Sequence, residues 1–275
     1  MLICDAQVHI WAADSPQRPW PKRGPPQRHP LGKDEVLAEM DKARVDRVVI
    51  VPPSFEGDRN DLANEAARLH PQRFATMGRF DPEAPDARET IKTWKQQPGM
   101  LGFRFTFHTP ILRQPLIDGH FDWVWGEAEK LGIPIYVLFH HDHMHLLDRL
   151  AERYPGLRLV VDHLGLNSHL KDDACFVDLD KLLVLAKQPN VAVKSSALPC
   201  YSTQDYPFAN LHPYVRRVFD AFGPRRMFWG TDWSRLPCSW KQGITLFTEE
   251  LPWLRGEDLE LVMGKALCDW IGWKV

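Results

Sequence analysis

The chain has 275 residues, of which 44% are hydrophobic and 25% charged, and its formal net charge is −2. This is ordinary globular composition, with enough apolar residues to bury a large core. The sequence has no block of one charge sign, which argues against nucleic acid or an anionic membrane surface as a partner. Its five cysteines are scattered without a C-x-x-C pair, so we expect reduced thiols rather than a disulfide framework.

The first residues, Met1 to Asp5, do not combine a basic segment with a long apolar stretch. No apolar run in the sequence is long enough to cross a bilayer. We therefore expect neither a signal peptide nor a membrane span, and a cytoplasmic location with a small molecule as the binding partner. Assembly into homo-oligomers is left open.

Short apolar runs alternate with amphipathic segments along the whole chain. Each run is rich in Val, Ile, Leu or Phe and is short enough to form a buried parallel strand. The eight runs are Leu2 to Val8, Arg47 to Val51, Phe74 to Gly78, Leu101 to Phe105, Ile133 to Phe139, Leu157 to Val161, Val191 to Lys194 and Met227 to Trp229. Helical patterns between them include Asp34 to Ala43, Asp61 to Leu69, Trp123 to Leu131, His145 to Tyr154 and Asp180 to Lys187.

Several helical patterns stop at a turn signal, such as Gly132 after Leu131 and Pro155-Gly156 after Tyr154. About eight strand–helix units without a break in composition predict an α/β fold, a single-domain (β/α)8 TIM barrel over residues 1–275. An open doubly wound sheet is the alternative. It usually has fewer strands and often a glycine-rich phosphate turn, which this sequence lacks.

A proline-rich segment, Ala13 to Gly32, directly follows the first predicted strand. Its six prolines are Pro16, Pro19, Pro21, Pro25, Pro26 and Pro30. Proline at this density prevents a helix and predicts a long ordered loop. The loop leaves the barrel at its carboxyl-end face, so it either covers the active site or packs on the surface.

Polar and ionisable side chains stand at the ends of most predicted strands. In chain order they include His9, Arg79, Arg104, His108, His140, His141, His163, Lys194 and Asp232. In a (β/α)8 barrel the carboxyl ends of the strands carry the active site. Because a charge buried there is costly unless it is paired or useful, a ring of such residues predicts a functional site.

Three of these strand ends resemble the motifs of a known family. The sequence reads Q-V-H at Gln7 to His9, D-H-L-G from Asp162 and G-T-D-W from Gly230. Their order resembles the amidohydrolase superfamily, and the most similar branch is the amidohydrolase 2 group of predicted metal-dependent barrel hydrolases. That branch includes 2-pyrone-4,6-dicarboxylate lactonase, sulfomuconolactone hydrolase, fuconolactonase and nonoxidative decarboxylases. The resemblance covers essentially the whole chain.

The resemblance implies metal ligands at His9, His163 and Asp232, with His140 as a tentative fourth. Such a set would hold a catalytic zinc or manganese with one open position. The superfamily usually begins H-x-H, whereas Gln7 occupies the first position here, and an amide is a weaker zinc ligand than imidazole. A divalent metal and metal-free chemistry therefore both stay open, and no organic cofactor is expected.

The predicted reaction is hydrolysis of a small, acidic lactone or a related carboxylic ester by water. Asp232 is the expected general base, and His9 and His163 are expected to polarise the carbonyl, directly or through a metal. The alternatives are metal-dependent decarboxylation or hydration of an aromatic acid, and small-molecule binding without catalysis.

Substrate binding is assigned to Arg79 and Arg104, whose guanidinium groups fit carboxylates, with Trp11 as a flat apolar wall and Lys194 as a further contact. The structural alternative is that the arginines and Lys194 form ion pairs inside the barrel. Asp162 is expected to stay structural and to face the helices.

Overall fold

Eight parallel β-strands form one sheet in which the spatial order is the chain order, from β1 to β8. They are β1 Cys4–Val8, β2 Arg47–Ile50, β3 Phe74–Gly78, β4 Met100–Thr106, β5 Ile135–Leu138, β6 Leu159–Val161, β7 Val191–Ser196 and β8 Met227–Gly230. The computed structural model describes residues 1–21 and 29–274. Each strand overlaps one of the predicted runs, and the prediction of a (β/α)8 barrel is confirmed.

Helices lie between the strands and after the last one. They are α1 Lys33–Ala43, α2 Asp61–Leu69, α3 Ala87–Thr93, α4 Pro110–Ile117, α5 Asp122–Leu131, α6 Met144–Arg153, α7 Asp173–Phe176, α8 Leu179–Leu183, α9 His212–Phe222, α10 Trp240–Thr248, α11 Gly256–Glu260 and α12 Ala266–Ile271. The predicted helix from Asp180 to Lys187 is divided, because α8 passes into a tighter 3₁₀ turn, Val184–Lys187, shortly before Pro189.

The core has two apolar layers. The outer layer packs the strands against the helices and includes Phe103, Phe107 and Trp125. The inner layer fills the barrel itself and includes Met77 and Phe228. A filled interior leaves the carboxyl-end mouth as the place for a site.

The sheet closes between β8 and β1 through the side chain of Asp5. Its carboxylate accepts hydrogen bonds from the Thr231 backbone N–H at 2.9 Å, the Thr231 hydroxyl and Trp240 Nε1 at 3.0 Å. A Cβ at Gly230 would lie only 3.0 Å from Ala6 Cβ, so glycine permits the close approach of the two strands. The Asp232 N–H donates to the Gln7 carbonyl at 3.0 Å, which brings the ends of the first and last strands together.

The proline-rich segment is anchored at both of its ends. Trp11 and Leu31 exchange backbone hydrogen bonds of 2.9 and 3.0 Å. The Arg18 guanidinium donates to Glu56 at 2.9 Å and also to Asp61. The prediction of a long ordered loop also covers 22–28, which lie outside the described residues.

Across the described ranges 1–21 and 29–274, no helix has the length and apolar character needed to cross a membrane.

Candidate active site

A cavity of about 290 Å³ opens at the carboxyl ends of the strands. Its lining includes Gln7, His9, Trp11, Phe55, Arg104, His108, His140, His163, Tyr201, Asp232 and Arg235. These residues come from the ends of several strands and from the loops that follow them. The size suits a molecule of one or two small rings.

His9, His163 and Asp232 meet on one side of this cavity. His9 Nε2 lies 3.2 Å from Asp232 Oδ1, and His163 Nε2 lies 3.7 Å from Asp232 Oδ2. Asp232 has a φ of 52° and His163 a φ of 49°, in the left-handed region that few residues other than glycine adopt. The structure therefore brings together the three residues that the sequence motifs singled out, and it does so through unusual backbone geometry.

Hydrogen bonds to the far ring nitrogens orient both imidazoles. His9 Nδ1 lies 2.5 Å from the Val51 carbonyl, which can only accept, so Nδ1 carries the proton. His163 Nδ1 lies 2.8 Å from Ser196 Oγ. Burial lowers the pKa of His9, and it lowers the pKa of His163 to about 3. Both rings are therefore neutral, and His9 carries its free lone pair on Nε2.

Asp232 is fully buried but ionised. Burial by itself raises the pKa of its carboxyl, yet its surroundings, which include the positive charges of Arg235 and Lys194, bring the pKa below the usual value. Among the described residues, Oδ1 has no hydrogen-bond donor, because His9 Nε2 carries no proton when Nδ1 donates to Val51. Asp232 thus has one oxygen free to accept a proton from a molecule in the cavity.

Gln7 lies between the rings of His9 and His163. Its amide Nε2 lies 3.3 Å from His9 Nε2 and 3.2 Å from His163 Nε2, and its Oε1 accepts from Lys194 Nζ at 2.5 Å. The amide oxygen of Gln7 and the Nε2 lone pairs of both imidazoles are thus already occupied, and none of them is left for a cation. Within the part of the chain that the structure describes, no group of three or more His, Cys, Asp or Glu side chains is arranged to hold a metal ion. The residues present therefore do not fit a divalent metal well.

Asp162 lies beneath the cavity and forms ion pairs with two cations. Its carboxylate lies 2.7 Å from Lys194 Nζ and 2.9 Å from Arg104 Nε. The expectation that Asp162 faces the helices is wrong: β6 ends at Val161 and the chain turns there, so strand alternation no longer sets the direction of this side chain. Burial would raise the pKa of Asp162, but Lys194 and Arg104 hold it well below its usual range.

The predicted substrate-binding residues occupy different depths. Trp11 and Arg104 line the cavity, and Arg104 also donates to Thr106. Lys194 is 0% exposed and lies below Gln7. Arg79 contacts Thr106 Oγ1 at 3.5 Å. Burial, with the positive charge of Arg104 nearby, lowers the pKa of Arg79 to about 10. Neither Arg79 nor Lys194 is among the residues that line the cavity.

His140, the tentative fourth ligand, makes no described hydrogen bond or ion pair with the other three. It lines the same cavity beside His108, with the two ring centroids 5.8 Å apart. This places a pair of imidazoles on neighbouring strand ends, at β4 and β5. It does not place His140 in contact with Asp232 among the described contacts.

Arg235 is a site residue that the sequence reasoning did not identify. Its Nη1 donates to Asp232 Oδ2 at 3.1 Å, and its side chain lines the cavity. It lies three residues after Asp232 in the 3₁₀ turn Trp233–Arg235, and this spacing was the available signal. Phe55, on the loop after β2, was also missed, because nothing in its sequence context distinguishes it from a core aromatic residue.

A (β/α)8 barrel with two histidines and an aspartate at the ends of its first, sixth and eighth strands defines an amidohydrolase-type hydrolase. The chain belongs to the Amidohydrolase family, whose model matches residues 4–252. It is similar to the L-fucono-1,5-lactonase of Burkholderia ambifaria, with 30% identity over 259 residues, 84% of this chain and 81% of the relative. The prediction of an amidohydrolase-related, lactonase-like hydrolase is confirmed.

Two solved structures share the fold. An amidohydrolase from Burkholderia multivorans with bound zinc superposes with a TM-score of 0.84 at 20% identity, covering 99% of both chains. A "probable 2-pyrone-4,6-dicarboxylic acid hydrolase" from Acinetobacter baumannii with bound citric acid superposes with a TM-score of 0.76 at 18% identity, covering 99% of this chain and 100% of that one.

Proposed function

We propose that this protein hydrolyses a small lactone, with the Asp232 carboxylate as general base. The observation that carries the proposal is the environment of Asp232: the group is buried and ionised, it lines a cavity of about 290 Å³, and its Oδ1 has no donor among the described residues. A carboxylate in this state accepts a proton from water. The lactonase relative supports the reaction class.

In the proposed step, water attacks the lactone carbonyl carbon and gives one proton to Asp232 Oδ1. The neutral His9 Nε2 lies 3.2 Å from Oδ1 and brings no proton of its own to it, so Oδ1 is free of a protein donor on that side. The bond from the carbonyl carbon to the ring oxygen then breaks, and the ring oxygen takes up the proton, so the products are a free hydroxyl and a carboxylic acid. The guanidinium groups of Arg104 and Arg235 supply positive charge for the developing oxyanion.

This assignment moves the polarising role from the histidines to the arginines. An imidazole polarises a carbonyl by donating a proton, and His9 Nε2 has none to donate while Nδ1 is bound to Val51. His163 has the corresponding arrangement, with Nδ1 on Ser196 and Nε2 toward Gln7. No step of this mechanism passes through a metal ion.

An acidic substrate is the finer part of the proposal. Two guanidinium groups line the cavity, against one carboxylate, that of Asp232. A substrate carboxylate would balance this surplus and bind to the arginine forks. We expect kcat/KM for a lactone with a ring carboxylate to exceed that for its neutral analogue by about tenfold, on the scale of one charge-assisted hydrogen bond.

The experiment is a turnover screen that follows acid release and carbon dioxide release separately. The panel contains L-fucono-1,5-lactone, 2-pyrone-4,6-dicarboxylate, neutral five- and six-membered lactones, and hydroxylated aromatic acids. Acid release from at least one lactone is the expected result. Carbon dioxide release from an aromatic acid without lactone hydrolysis would establish decarboxylation instead, and binding without turnover would establish a non-catalytic barrel.

A further inference from the structure

Lys194 fixes the orientation of the Gln7 amide. The Lys194 ammonium has only donors, so the amide atom at 2.5 Å from Nζ must be Oε1. Nζ also lies 2.7 Å from Asp162 Oδ1 and 4.0 Å from the centroid of the Tyr136 ring. Because Lys194 is 0% exposed and held on three sides, it has little freedom to release the amide.

With Oε1 on Lys194, the two N–H groups of Gln7 point at the catalytic histidines. Nε2 lies 3.3 Å from His9 Nε2 and 3.2 Å from His163 Nε2. Both ring nitrogens can accept, since His9 Nδ1 donates to Val51 and His163 Nδ1 is paired with Ser196. One amide group therefore donates to both lone pairs, which would otherwise be available to a metal ion.

The two carboxylates near this amide are already paired with cations of the protein. Arg104 and Lys194 share Asp162, and Arg235 pairs with Asp232. A divalent cation would have to displace both amide N–H groups and then compete with these three side chains for the carboxylates. Oxygen and nitrogen ligands bind zinc only when they are free of protons and of competing cations.

We infer that the Lys194–Gln7 pair is a protein-built substitute for a metal ion: it orients His9 and His163 toward Asp232 and excludes divalent cations from the site. The inference goes beyond the proposed function and does not depend on which lactone is the substrate, because its consequence is measured as metal binding.

The test is Gln7→Glu, which exchanges the NH₂ group for oxygen. The variant keeps the contact with Lys194, loses both N–H donors and adds a carboxylate between the two imidazoles. We expect metal-free Gln7→Glu to bind one zinc ion per chain at least about 100-fold more tightly than the wild type in calorimetric titration with zinc chloride, on the scale of one ligand added to a zinc site. Gln97→Glu is the matched control, because Gln97 Oε1 also accepts from a side chain, Asn64 Nδ2 at 3.0 Å, far from the site.

A second variant keeps the test decisive if Gln7→Glu fails to fold. Gln7→His restores H-x-H and should also bind zinc more tightly than the wild type. Tight, stoichiometric zinc binding by the wild type would overturn the inference, and so would equal zinc affinity in the wild type and in the folded variants. A failed lactone screen would leave these results unaffected, so the two proposals fail separately.

Discussion

His9 Nε2 and Asp232 Oδ1 face each other at 3.2 Å across the junction of the first and last strands, and no proton is fixed between them. The His9 proton is on Nδ1, directed to Val51, and Asp232 is ionised. Two acceptors at this distance attract a proton or a proton donor from the cavity. Because the Gln7 amide donates to His9 Nε2, Asp232 Oδ1 is the acceptor of this pair that is left for the proton of an attacking water.

We expect Asp232→Asn to lose about 100-fold or more in kcat, the usual scale of general-base catalysis, because the amide cannot accept the proton. Asparagine tolerates the left-handed backbone of this position, so the melting temperature should change little. Asp220→Asn, at an exposed Arg216 pair, is the control and should keep full activity. A stable and fully active Asp232→Asn would end the mechanism, and a strong loss of stability with normal turnover per folded molecule would make Asp232 a structural residue.

Removal of metal should leave the reaction intact. Dialysis against EDTA followed by assay in metal-free buffer should retain nearly all turnover, because the Gln7 N–H groups already occupy the Nε2 atoms of His9 and His163. Metal content is measured on the same samples. Activity that disappears on dialysis and returns with added zinc or manganese would contradict this prediction.

Asp5 should give the stability a distinct pH dependence. Burial raises its pKa from 3.8 to about 6, so between about pH 4 and 6 the folded state binds more protons than the unfolded state. The contribution of Asp5 to the free energy of unfolding is therefore greatest below pH 4 and decreases as the pH rises through 6. The total decrease is about 2–3 kcal/mol.

Other carboxylates titrate in the same range, so the measurement is a difference. The free energy of unfolding is determined by urea titration at pH 4, 5, 6 and 7 for the wild type and for Asp5→Asn, which cannot titrate. The difference in the free energy of unfolding between the wild type and Asp5→Asn should change by about 2–3 kcal/mol, with the wild type becoming relatively less stable as the pH rises. A gap that is constant across the range would show that Asp5 is ionised throughout.

Gly230 and Gly126 provide a matched test of the strand junction. Gly230→Ala would place a Cβ 3.0 Å from Ala6 Cβ and 3.1 Å from the Ala6 backbone nitrogen, so we expect a loss of about 2 kcal/mol, as in overpacked cores. Gly126 lies inside α5 with its nearest such atom, Tyr154 Cε1, at 3.6 Å, and Gly126→Ala should gain up to about 1 kcal/mol. Equal effects would show that β8 and β1 adjust freely.

Arg18 should affect substrate binding more than folding. It ties the proline-rich segment to Glu56 and Asp61, and the segment follows Trp11, which lines the cavity. Arg18→Met is expected to raise KM several-fold with little change in the melting temperature, since Asp61 is exposed and the buried Glu56 still accepts from the Ala12 N–H. Arg216→Met, which removes a surface pair far from the cavity, is the control. Unchanged kinetic constants would show that this anchor has no part in binding.

The fold could be predicted from the sequence because parallel strands that are buried on both faces appear as continuous apolar runs. The run from Phe74 to Gly78 coincides with β3, and the run from Met227 ends one residue before β8 does. The same reasoning predicted the positions of His9, His163 and Asp232, since each follows a strand whose carboxyl end must face the site.

The side-chain contacts below the barrel mouth could not be predicted from the sequence in the same way. Lys194 and Gln7 are 187 positions apart, and their pairing depends on the rotation of each strand in the closed barrel. Asp162 was misplaced because the chain turns immediately after β6. Arg235 was missed because a turn, rather than a strand, aims it at Asp232.

The backbone pairing of Trp11 with Leu31 has an evolutionary consequence. Main-chain hydrogen bonds do not depend on side-chain identity, so they fix where the segment 12–30 leaves and rejoins the barrel whatever its sequence. Substitutions, insertions and deletions between these two points leave the strand ends in place, and with them the reacting groups. A lineage of this chain can therefore change residues between these two points without moving the strand ends that carry His9 and Asp232.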